Sequence, residues 1–162
     1  MNFGDEDLKR IVYNEAITTI DKLTTDQLKI LTLCFLLKRT KLSGLTNIEQ
    51  FKQYLDQRIK PFIDFKRTRA EFEHLAYTGC ASISVAGHDI IELFKGNYPD
   101  IFKEGGNHEE LLADNGTATK LISAWKETQI QNMNLTSVGI VIASTFYEQT
   151  TGDMINIDIW IN

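Results

Sequence analysis

Apolar residues recur through the first half of the chain at spacings of three and four, the pattern of helices that bury one face. Leu8, Ile11, Val12, Ala16, Ile17, Ile20 and Leu23 predict a first helix of about five turns, whose apolar stripe needs a partner. Thr24-Thr25-Asp26-Gln27 has the S/T-x-x-E/Q form, in which a hydroxyl and an amide side chain each satisfy a free backbone N–H, so a second helix starts there. Its body, Leu28 to Leu37, is apolar on nearly every side, which marks a central buried helix; Lys38-Arg39 suit the negative end of its dipole. After the break at Ser43-Gly44, Thr46-Asn47-Ile48-Glu49 repeats the capping box ahead of a third helix. This one turns Ile48, Phe51, Leu55 and Ile59 inward and is stopped by Pro61. A third box, Thr68-Arg69-Ala70-Glu71, opens a fourth helix with Phe72, Leu75 and Ala76 inward and Gly79 as its left-handed stop.

Beyond Gly79 the period shortens to two, and Cys80 to Val85 reads as a short strand ended by Gly87. A short helix follows from Asp89 to Lys95. Gly105-Gly106 and Asp114-Asn115-Gly116 then punctuate the chain, and 104–117 reads as a flexible loop. Leu121, Ile122, Trp125 and Ile130 predict another helix. Thr136 caps a strongly apolar one containing Val138, Ile140, Val141, Ile142, Phe146 and Tyr147, closed by Gly152. At the C-terminus Ile155, Ile157, Ile159 and Ile161 alternate with Asn156, Asp158, Trp160 and Asn162, a half-buried strand whose simplest partners are 81–85 and 131–135. The fold class expected is mainly α with a small β-sheet (α+β): one helical domain over 1–162, with a C-terminal strand.

Composition narrows the class. A chain of 162 residues suits one domain, and 43% hydrophobic with 24% charged residues argues against intrinsic disorder, collagen-like repeats and disulfide-built miniproteins. No apolar run approaches the roughly 20 residues of a membrane span, and Met1 to Asp7 is acidic where a secretory signal would be basic. A cytoplasmic location with no membrane contact is expected. Cys34 and Cys80 alone supply neither a disulfide framework nor a four-cysteine zinc site.

The net charge of −5 is unevenly spread. Residues 38–69 hold nine basic side chains against three acids, leaving eight basic and nineteen acidic residues elsewhere. Within that stripe, Lys60, Lys66, Arg67 and Arg69 are the candidate phosphate contacts for a nucleic acid. The competing expectation, favoured because no aromatic residues interleave with the basic ones, is that these charges pair with the acidic remainder.

Catalytic signals are sparse. The phosphate-loop, dinucleotide, H-E-x-x-H, G-x-S-x-G and kinase patterns are all absent. Cys80, six residues after His74, is the one nucleophile-and-base pair the sequence offers, set against the expectation that a cysteine between Gly79 and Ala81 is a small packing residue. His74, His88 and His108 match no ligand spacing, and Glu71 and Glu73 face different ways on a helix, so no metal site and no cofactor are expected.

Four stretches carry a family resemblance: Glu73-His74-Leu75-Ala76-Tyr77-Thr78-Gly79-Cys80-Ala81-Ser82-Ile83-Ser84, Asn97-Tyr98-Pro99-Asp100-Ile101-Phe102, Asn134 to Ala143, and Ile159-Trp160-Ile161-Asn162. Together they resemble an uncharacterised family of bacterial cytoplasmic proteins, whose members often carry a further N-terminal region and a longer insertion between the positions of Gly106 and Trp125. Leu135-Thr136-Ser137-Val138-Gly139 is also similar to winged-helix-like modules of bacterial abortive-infection proteins. That likeness implies a scaffold used here for protein contacts, since Glu71 and Glu73 on the helix from Arg69 are unsuited to a DNA groove. The resulting expectation is a non-enzymatic interaction or assembly module of a bacterial cytoplasmic system, with phage defence the implied setting. Its partner is another protein or a second copy, with Ile159, Trp160 and Ile161 as candidate interface. The alternative is a nucleic-acid-binding regulator using 38–69, and the third reading is an enzyme built on Cys80 and His74.

Overall fold

The second helix organises the molecule, as its all-round apolar sequence requires. A computed structural model of the chain describes residues 5–154. Along them run α1 (Asp5–Ile20), α2 (Thr25–Lys38), α3 (Ile48–Tyr54), α4 (Arg69–Tyr77), β1 (Ala81–Ile83), α5 (Ile90–Asn97), α6 (His108–Leu112), α7 (Gly116–Glu127), β2 (Met133–Leu135) and α8 (Ser137–Thr151). The architecture is mainly helical with one small antiparallel sheet, in agreement with the periodicity.

At α2 both halves of the capping box form: the Gln27 N–H donates to Thr24 Oγ1 at 3.1 Å, and the Thr24 N–H to Gln27 Oε1 at 3.1 Å. From Ile30 to Leu37 every residue is buried, and α8, α1, α4, β2 and α3 with its following turns contribute to the same apolar cluster. Removing a Leu or Phe side chain from water contributes about 1.5–3 kcal/mol, so this segment is a main source of stability.

Two expected caps differ in the structure. At α3 the cap is Asn47, which accepts from the Gln50 N–H at 2.9 Å, while Thr46 turns its N–H and hydroxyl to Gln50 Oε1. Asn and Thr are both good caps, and the residue nearer the first turn takes the role. At α4 Thr68 occupies the cap position with no side-chain cap bond. Nor does α3 stop at Pro61: it passes into a π turn at Leu55–Ile59, where the Lys60 N–H reaches the Leu55 carbonyl, and then into a 3-10 turn at Lys60–Phe62 that contains the proline. The ring has no N–H to withhold from that tighter turn.

The stop at Gly79 takes the form of a Schellman turn. Its φ is +77°, its N–H donates to the Ala76 carbonyl, and the Cys80 N–H donates to the Leu75 carbonyl. This turn launches β1, which pairs antiparallel with β2 so that Ala81 faces Leu135 and Ile83 faces Met133. The segments put forward as partners of a C-terminal strand thus pair with each other. That strand, with Ile159, Trp160 and Ile161, lies outside the described residues.

Gly139 locks α8 against this turn. A Cβ at Gly139 would overlap the Cys80 carbonyl oxygen, so only glycine lets the first turn of α8 sit here. Thr136 completes the junction: its hydroxyl donates to the Gly79 carbonyl at 2.6 Å and accepts from the Gly139 N–H at 3.2 Å, and its own N–H donates to the Cys80 carbonyl. Within the stretch expected to be a loop, 104–117, the chain forms the short α6 and the start of α7.

Candidate functional site

Two of the four basic candidates, Arg67 and Arg69, are paired with acids. Arg67 Nη1 lies 2.7 Å from Glu127 Oε2 and 3.0 Å from Ser123 Oγ, binding the segment before α4 to the end of α7. Arg69 pairs with Glu73 one turn along α4 at 2.7 Å. Lys52 reaches Asp114 at 2.8 Å and Glu49 at 3.4 Å; these partners hold its ammonium above the usual lysine range and the Asp114 carboxyl below its own. Lys60 lines a polar cleft with Asp56, Asp64 and Lys120, and Lys66 is exposed. Lys38 is half-buried and turned away from the stripe. Its ammonium donates to the Met133 and Gln131 carbonyls at 2.6 and 3.1 Å and lies 5.3 Å from the centroid of the Trp125 ring, where burial lowers its pKa.

The proposed nucleophile and base have separate partners. Cys80 is fully buried, accepts from the Thr78 hydroxyl at 3.4 Å, and has its pKa raised by that burial. Half-buried His74 places Nδ1 3.1 Å from Gln27 Oε1 and stacks on Tyr77, while the Cys80 thiol has Thr78 as its hydrogen-bond partner. Because Gln27 Oε1 only accepts, it assigns the proton to Nδ1. The thiolate a nucleophile needs is disfavoured at such a site. Among the described residues no three His, Cys, Asp or Glu side chains converge as metal ligands, and no helix is long and apolar enough to cross a membrane.

Besides an open hollow of about 390 Å³ beside α6 and α7, lined by Asn107, Glu109, Glu110 and Thr119, two concavities bear on function among the described residues. The polar one joins hollows of about 420 and 530 Å³ that share Asp56, Asp114 and Asn115 between α3 with its π turn and the start of α7. Here Asp56 accepts from the Thr117 hydroxyl at 2.7 Å and from Asn115 Nδ2, and so braces the positive end of α7.

The apolar concavity, of about 150 Å³, lies between α1 and α8, with Tyr13, Ala16, Ile17, Ile20, Val141 and Ile142 in its walls. It arises from the shape of α1. At 100° per residue, the apolar positions of that helix sweep roughly 240°, from Ile11 through Leu8, Val12, Ala16 and Ile20 to Tyr13 and Ile17. Val12, Ala16 and Thr19 are buried, yet Leu8 and Ile11 are each 48% exposed on one flank and Ile17 is 67% exposed on the other. The stripe expected to need a partner is therefore only half covered. Its width was readable from the sequence; which half would be covered was not.

A model of an uncharacterised protein family matches residues 1–120 and 108–161, and the chain belongs to that family. No curated protein and no solved structure matches it.

Proposed function

We propose that the chain is a non-enzymatic interaction and assembly module, and that it associates with a second copy of itself through the exposed apolar flank of α1 and the adjoining groove on α8. The observation that carries this reading is Ile17. A large aliphatic side chain, 67% exposed beside a groove walled by further aliphatic and aromatic residues, is a poor surface in water and a good anchor in an interface. The absence of a paired nucleophile and base at Cys80 and His74 is in keeping with it, as is the engagement of Arg67 and Arg69 by acids.

The resemblance of the sequence to bacterial cytoplasmic proteins and to winged-helix-like abortive-infection modules supports phage defence as the setting. Sedimentation of the full chain across a wide concentration range tests the proposal. A mass that climbs above 18.5 kDa with concentration, and persists in high salt, is the expected result. A chain that stays at that mass throughout would refute it, and association lost steeply with salt would point to charge in place of apolar contact.

A further inference from the structure

We draw no further inference here: the strongest candidate, the polar cleft between the π turn and the start of α7, is a cluster of carboxylates in which Asp56, Asp64 and Asp114 are already engaged by Thr117, Asn115, Lys120 and Lys52, and nothing else in the structure points to a ligand there.

Discussion

Helices α1 and α2 are of similar length, and both are rich in aliphatic residues, yet the fold treats them in opposite ways. In α2 the apolar positions encircle the helix, and α8, α4, β2 and the 3-10 turn after α3 surround it. In α1 they cover about two thirds of the circumference, while the chief neighbour among the described elements is α8, which covers a single strip. Apolar character in a helix thus measures how much surface must leave water, and the number of neighbours decides how much does. Where the two disagree, as on α1, the surplus is available to another molecule.

Removing volume from the covered helix should have the largest effect. Leu31→Ala should lower the stability of the fold by about 2–5 kcal/mol, read as a lower denaturant midpoint with little change in slope. An unchanged midpoint would mean that α2 is not the centre of the core. Next in size is Gly139→Ala, which forces a methyl group into the Cys80 carbonyl. A loss of about 1–3 kcal/mol is expected, and a neutral result would show that α8 does not press on the turn as described. Thr24→Ala removes the hydroxyl that caps α2 and should cost about 0.5–2 kcal/mol, whereas Thr68→Ala, at a cap position without a side-chain bond, should cost less. Equal losses at the two sites would contradict the assigned caps.

Thiol labelling tests the buried interior from another direction. Burial pushes the Cys34 thiol up to about 11 and also raises Cys80, so a folded chain at pH 8 holds on the order of a thousandth of Cys34 as thiolate. Both cysteines should resist an aromatic disulfide reagent until the protein unfolds. Fast labelling of Cys80 in the folded chain would revive the enzyme reading. The smallest effect is expected on nucleic-acid retention, from reversing Lys66, Arg67 and Arg69 to Glu. Near physiological salt the unaltered chain should retain little nucleic acid, so the reversal has little to abolish, and tight retention lost in the triple variant would favour the regulator instead.

What the sequence disclosed depended on range. Thr24 with Gln27, Gly79, Thr136 and Gly152 act on backbone groups within a few residues, and each does in the structure what its position implies. Asn47 takes the cap in place of Thr46 because two adjacent residues can both cap, and the helix begins at Ile48, directly after Asn47. The pairing of β1 with β2 joins segments some fifty residues apart, and alternation alone names strands without naming partners. By sequence Lys38 suits the dipole at the end of α2 and opens the basic stripe. Its ammonium lies instead on the carbonyls before and within β2, a contact that exists only after the helices have packed. Ile17 was legible as apolar, but its exposure depends on the neighbours α1 was to have.

The role proposed for the uncovered flank of α1 is association and not folding, and Ile17→Asp separates the two. Sedimentation equilibrium and denaturant unfolding should be measured on the same preparations of the parent chain and the variant. The expected result is a parent that associates with rising concentration and a variant that remains at 18.5 kDa, with unfolding stabilities, measured where both are monomeric, agreeing within about 0.5 kcal/mol. A variant that associates as the parent does, or one that loses several kcal/mol of stability, would contradict it.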